Sequence, residues 1–177
     1  VAVGGYGRKE LFPYSDIDLL FLSAAADEES IKKQVEPILY VLWDCGLKVG
    51  HAVRSPSDCV SQSRTDHTIA SSLLEARLIC GDEELYYQFD TLFNKHIRGH
   101  RIPEFVDAKM AERKERHIKQ GNSRFLLEPN IKENKGGLRD LHTLHWLTNY
   151  AYGARFLRDL VSLNILSQSE VNDFRRA

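Results

Sequence analysis

Asp16 and Asp18 stand two residues apart at the opening of the apolar run Ile17 to Leu22. Residues so spaced in a strand point to the same side of a sheet, so the two carboxylates share a face. Like charges held that close repel, and burying them without a cation is costly. A divalent ion resolves the conflict. Magnesium, or manganese in its place, takes carboxylate oxygens and fills the rest of its shell with water and substrate phosphates. Two such ions about 3.5–4 Å apart can activate an attacking oxygen and neutralise a departing pyrophosphate. A solvated strand end is the competing reading of Asp-x-Asp, and the pair alone does not separate the two.

The glycines upstream add a second component. Gly4, Gly5 and Gly7 have no side chains to keep a phosphate away, and successive backbone N–H groups can form an anion nest. A helix starting near Arg8 would contribute its dipole, and Arg8 or Lys9 would add positive charge. A tight hairpin is the ordinary explanation of such a turn. Here the turn follows a strand and precedes a carboxylate pair that opens another, an order that brings a phosphate cradle to a metal site.

The elements that must position these groups can be read from periodicity and punctuation. Val1 to Val3 reads as a strand end, broken by the turn Gly4 to Gly7. Ile17 to Leu22 reads as a central strand buried on both faces. Glu28 to Cys45 has helical period, with Ile31, Val35, Leu39 and Leu42 on one face and Gly46 at its C-terminal end. Leu47 to Arg54 is the next strand, and Ser55-Pro56 an N-cap with proline at the first helical position. From there the pattern is almost wholly helical: Asp66 to Cys80, Glu83 to Ile97 capped by Asp82, Pro103 to Lys119, Leu138 to Tyr152, and a last helix opened by Ser167 and Glu170 at capping-box spacing. Gly121 to Gly137 has no clear period and is long for a connection in a compact domain. The fold class is α+β: a small mixed β-sheet with helices over residues 1–63, then an α-helical region over 64–177. The opening Val1-Ala2-Val3 reads as a strand entered midway, so a segment of a longer protein with a truncated N-terminus is expected.

With 177 residues, 42% of them hydrophobic and 28% charged, the chain can bury a real core. A formal net charge of −1 gives no global pull toward nucleic acid. Cys45, Cys59 and Cys80 match neither a disulfide framework nor a zinc pattern, which suits a reducing cytoplasm, and are expected to act as small buried hydrophobes. No apolar run approaches the roughly 18 residues of a membrane helix. No nucleic-acid or membrane partner is therefore expected.

The string Gly4-Gly5-Tyr6-Gly7-Arg8-Lys9-Glu10-Leu11-Phe12-Pro13-Tyr14-Ser15-Asp16-Ile17-Asp18 resembles the signature of DNA-polymerase-beta-type nucleotidyltransferases. More particularly, it resembles the PII uridylyltransferase/uridylyl-removing enzymes of bacterial nitrogen signalling. Leu42 to Arg54, Leu73 to Gly81 and Glu128 to Trp146 are similar to that family as well, so the resemblance spans nearly the whole chain. It implies a nucleotidyltransferase core that moves UMP from UTP to a tyrosine hydroxyl of the PII regulator and releases pyrophosphate. It also implies that Asp16 and Asp18 hold magnesium and that Gly4 and Gly5 approach the β- and γ-phosphates. The family's hydrolase and glutamine-sensing domains have no counterpart here, and no uridylyl-removing activity is expected of this piece.

One departure matters. Many members of the superfamily carry a third carboxylate on the next strand, yet Leu47 to Arg54 contains no acid. His51 stands about where it would be sought. Glu75 and Asp140 are further candidates from helical regions, and the residues do not choose among them. Gly136-Gly137-Leu138-Arg139-Asp140 places a glycine pair at a helix start, where Arg139 is a candidate for the triphosphate or base; an Arg139–Asp140 ion pair is the alternative. Lys109, Arg113, Arg116, His117 and Lys119 make one helix partly basic, with Glu112 and Glu115 placed for ordinary i,i+3 and i,i+4 pairs. His142, His145 and Trp146 read as core. Two other functions stay open: AMP transfer to a protein such as glutamine synthetase, and a non-catalytic nucleotide-sensing module.

Overall fold

The computed structural model describes residues 1–24, 28–121 and 130–176. In chain order its elements are α1 (Gly4–Arg8), β1 (Ile17–Leu22), α2 (Glu28–Asp44), β2 (Val49–Arg54), α3 (Pro56–Thr65), α4 (His67–Leu73), α5 (Glu83–His96), α6 (Ile102–Lys119), α7 (Leu138–Tyr152), α8 (Leu157–Ser162) and α9 (Gln168–Arg176). They form two compact units, Val1–Ile97 and Arg98–Ala177. Helices α4 and α5, which lie beyond residue 63, thus belong with α3 to the unit that holds the strands. Residues 122–129, about half of the expected 121–137 connection and including Glu128 and Pro129 of the family-like stretch, lie outside the described residues.

In the first unit β1 and β2 pair in parallel, with Asp18 opposite Gly50 and Leu19 opposite His51. A third extended segment completes the arrangement. Ala2 is fully buried and forms antiparallel bridges to Leu19 on one side and Arg77 on the other. Its amide donates to the Arg77 carbonyl at 2.8 Å, and the Arg77 amide donates back at 2.9 Å. The Val3 amide donates to the Asp18 carbonyl at 3.1 Å. The named sheet is therefore a two-stranded parallel one, widened by an antiparallel pairing at Ala2. Of the β1 run, Leu20 alone is buried and its neighbours are half-buried. Full burial on both faces was the expectation; a sheet this narrow gives covering helices too little width to enclose it.

Two helices of the first unit depart from the sequence pattern. The expected turn at Gly4 is a short helix, α1, whose C-cap Lys9 adopts a left-handed φ of 64°. The expected helix from Asp66 to Cys80 stops at Leu73, because Arg77 is drawn out to pair with Ala2. Gly7 marks where α1 meets the chain after α4: a Cβ there would stand 2.0 Å from the Glu75 carbonyl oxygen. Elsewhere local signals hold. Val35 and Leu39 are buried on α2, Gly46 takes a φ of 76°, Ser55 and Asp58 form the capping box of α3, and Asp82 caps α5. Cys59 is buried, which pushes its thiol up to about 12; Cys45 and Cys80 are exposed, so only one of the three acts as a core residue.

In the second unit α6 packs on α7. Phe105 stacks on Tyr150 with ring centroids 3.8 Å apart, and the Tyr150 hydroxyl donates to the His100 carbonyl. The Lys109 ammonium is buried near the rings of Phe105 and Trp146 and is neutralised by Glu112 at 2.9 Å. Farther along, the Asp140 carboxylate accepts from Arg113 Nε at 3.1 Å, Arg116 Nη2 at 2.7 Å, and the Gly136 amide at 2.8 Å, and it meets His117 Nε2 at 3.0 Å. Helix α8 has no counterpart in the sequence reading. It is six residues long and starts where Asp159 accepts from the Arg155 and Phe156 amides. At α9 the expected Ser167–Glu170 capping box is present.

Two outcomes follow from this packing. Gly7→Ala drives a methyl group into a backbone carbonyl and is expected to cost about 1–3 kcal/mol, measured by chemical unfolding; an unchanged midpoint would separate α1 from the Glu75 backbone. For Asp140, burial alone would raise the carboxyl pKa, but the Gly136 amide, Arg116, Arg113 and His117 outweigh it and hold the value at about 2. A depressed folded-state value means that the stabilisation is complete above the ordinary value of 3.8 and is lost as pH falls toward 2. Asp140→Asn is expected to lose about 2–3 kcal/mol at pH 7, the scale of hydrogen bonds to a charged group. The gap to wild type then narrows between pH 4 and pH 2, and a gap constant across that range would contradict the ionised cluster.

Candidate nucleotidyl-transfer site

Asp16 is exposed and directly precedes β1, and Asp18 is the second residue of that strand. The Asp18 carboxylate lies in a slot walled by two glycines. A Cβ on Gly4 would be 3.0 Å from Oδ2, and a Cβ on Gly50 would be 2.6 Å from Oδ1. Gly4 also has a φ of 58°, which strains any side chain placed there. The structure thus brings together Gly4 of α1, Asp18 of β1 and Gly50 of β2. Gly50 was not singled out by the sequence reading, although an isolated glycine inside a strand marks a close approach.

The slot suits a carboxylate that must bind a cation: no side chain stands between its oxygens and either glycine backbone. Among the described residues no group of three or more His, Cys, Asp or Glu could hold a metal ion by itself. Two carboxylates that leave the remaining shell to substrate phosphates and water match the usual magnesium arrangement.

The other sequence-derived candidates have neighbours of their own. His51, the register partner of Leu19, points to the sheet face opposite Gly50 and Asp18, and its ring stands edge-on to Trp43 with centroids 6.3 Å apart. The position facing Asp18 is therefore Gly50, one residue away, and the strand alternation sends His51 to the other side. Gly5 has the Glu10 carbonyl 3.3 Å from where a Cβ would stand, and Gly7 is buried against the Glu75 backbone. Arg8 pairs with Glu10 and with Glu75, whose side chain is 1% exposed. Burial alone would lower the Arg8 pKa, but Glu75 and Glu10 raise it, so the guanidinium stays charged in that pair. Arg8 and Glu75 thus neutralise one another behind the glycine turn.

Arg139 and Asp140 belong to the second unit. Asp140 is occupied by Arg113, Arg116 and His117 as described, so its oxygens face cations already present. Arg139 lies over the Trp146 ring and 3.5 Å from Glu133, and it does not pair with Asp140. The basic residues of α6 also differ from the expected solvated face: Arg113 and Arg116 converge on Asp140, and only Lys109–Glu112 keeps the i,i+3 form.

Arg77 is prominent here. Its Nε donates to the Gly7 carbonyl at 3.1 Å and its Nη2 to the Tyr6 carbonyl at 2.8 Å, and the guanidinium lies 5.4 Å from the centre of the Tyr6 ring. No sequence signal pairs positions 70 residues apart, so this role emerges only in three dimensions.

Comparison with known proteins agrees with these two regions. Residues 1–80 match the nucleotidyltransferase domain family, and residues 104–177 match the GlnD PII-uridylyltransferase family. The chain is 51% identical over 177 residues to a bifunctional uridylyltransferase/uridylyl-removing enzyme of Rhodospirillum rubrum, covering 100% of this chain and 19% of that protein. Proteins of the same description from Azospirillum brasilense and Rhodopseudomonas palustris are 49% and 48% identical over 100% and 99% of the chain. The chain spans about a fifth of the length of these relatives, 19% in each case. A glycine turn set against an aspartate, with half the residues shared along essentially the whole chain, places this protein in the nucleotidyltransferase region of the PII-uridylyltransferase family.

Proposed function

We propose that this chain carries out the transferase half-reaction of its family: UMP moves from UTP to a tyrosine hydroxyl of the PII regulator. The acceptor hydroxyl gives up its proton to solvent and its oxygen bonds to the α-phosphorus, the bond from that phosphorus to the α,β-bridging oxygen breaks, and pyrophosphate departs with the negative charge. The observation that carries the reading is the lodging of Asp18 between Gly4 and Gly50, which joins a phosphate-permissive turn to a metal-binding acid. The relatives' names supply the nucleotide, and the match at residues 104–177 supports PII as acceptor.

In this reading Asp16 and Asp18 are the metal ligands, and Gly4 and Gly5 let the triphosphate approach the backbone. Magnesium or manganese, when bound, supplies neutralisation of the triphosphate and a lower pKa for the attacking hydroxyl. The residues themselves supply position and charge placement, which carry most of such catalysis. The helices that follow β2 complete the transferase module, and the site of action is the cytoplasm. Among the described residues no helix is long and apolar enough to cross a membrane.

The test is calorimetric titration with UTP, ATP, CTP and GTP in magnesium, beside Asp16→Asn and Asp18→Asn, followed by transfer to PII. UTP binding that needs magnesium and is lost in either variant, with transfer abolished, is the expected result. A preference for ATP would reassign the chain to AMP transfer, and full turnover by either variant would remove the acid pair from the mechanism. Gly50→Ala gives an independent check. Its methyl group would displace the Asp18 carboxylate, so Mn2+ affinity, followed by electron paramagnetic resonance, is expected to fall about tenfold for roughly 1.4 kcal/mol of strain. Unaltered Mn2+ binding by the folded variant would mean that Asp18 is not a ligand in this orientation.

A further inference from the structure

The glycine turn is a poor helix by itself. Three of the five residues of α1 are glycine, its N-cap Val3 has no side chain that caps, and isolated helices shorter than about 12 residues are marginal in water. Something outside the turn must therefore set its shape. That something is the short segment Glu75–Arg77, which grips the turn at both ends. On the entry side the Arg77 backbone exchanges two hydrogen bonds with Ala2, two residues before Gly4. On the exit side the Arg77 guanidinium takes the carbonyls of Tyr6 and Gly7, and Glu75 holds Arg8.

Resting on the reading above, we propose that Arg77, assisted by Glu75, is the positioning residue that makes the Gly4–Arg8 turn competent to receive a triphosphate. Two physical effects combine. The planar fork holds two successive carbonyls at once, which fixes how far Gly4 and Gly5 stand from Asp18. The same guanidinium also offsets the negative end of the turn, where carbonyl oxygens would otherwise oppose an incoming polyphosphate. Arg77 does this from behind, bonded to backbone oxygens. A lysine at 77 keeps the charge but lacks the fork, so it cannot bridge both carbonyls in one plane.

Inorganic tripolyphosphate with magnesium is the probe, since it reports on the phosphate cradle without the base. Binding is measured by calorimetry well below the unfolding midpoint for wild type, Arg77→Ala, Arg77→Lys and Gly5→Val, with thermal unfolding recorded for each. Arg77→Ala is expected to weaken binding about tenfold, the equivalent of one charge-assisted hydrogen bond. In UTP kinetics the loss appears in KM more than in kcat, and millimolar guanidinium chloride restores part of it. Arg77→Lys folds like wild type and still binds several-fold more weakly, which keeps the test intact where the alanine variant fails to fold. Binding lost with Gly5→Val but unchanged in both Arg77 variants would overturn the positioning role and leave the phosphate cradle standing. No tripolyphosphate binding by wild type would remove the cradle and the inference with it.

Discussion

The first unit depends on one extended residue. Ala2 is fully buried and bonded through its backbone neighbourhood to β1 on one side and to Arg77 on the other. A buried peptide group without partners costs several kcal/mol on the order of a lost hydrogen bond or more, so a segment inserted between two others is either paired on both edges or expelled. Pairing with β1 brings Gly4 beside Asp18. Pairing with Arg77 ends the helical run after Leu73, turns Glu75 inward to Arg8, and carries the guanidinium to the carbonyls of α1. The glycines are where this closeness is tolerated: Gly7 against the Glu75 carbonyl, and Gly4 and Gly50 against the Asp18 carboxylate.

Charge is handled differently at the two ends of the chain. Near the candidate site Asp16 is exposed and Asp18 half-buried. Away from it, charges are paired where they are buried. Glu75 meets Arg8, Lys109 meets Glu112 beneath two aromatic rings, and Asp140 gathers two arginines and a histidine at the start of α7. Breaking such a pair strands an ion in a poorly hydrated place, which makes each pair a constraint on how its elements dock. Asp140 also sits in the first turn of α7, and Arg116 and His117 in the last turn of α6, so both helix dipoles favour the arrangement.

Much of the local structure was legible in the chain. Ser55-Pro56, Asp82, Gly46 and the Ser167–Glu170 pair marked helix ends correctly, because a cap is satisfied by atoms within a few residues of itself. The apolar run after Asp16 gave β1 its limits, and the glycine turn with the acid pair gave the family. Misreadings occurred where a distant partner intervened. The periodicity of Asp66 to Cys80 is genuine, yet two hydrogen bonds to Ala2 outweigh the propensity of the last turns. His51 lies one residue from the position that faces Asp18, and in a strand one residue is the difference between faces.

The sequence by itself supplied the two aspartates and the glycine-rich turn of the candidate site, all within the first 22 residues, while Gly50 went unread. It also determined most helix boundaries, because capping and periodicity are short-range. Tertiary structure decided which candidates meet. Sequence spacing could not tell Arg8 as a phosphate ligand from Arg8 as a partner of Glu75, or Asp140 as a metal ligand from Asp140 as the anchor of α6 on α7. An ionised side chain takes the partner that compensates its burial best, and that partner is set by the packing of segments up to 71 residues apart.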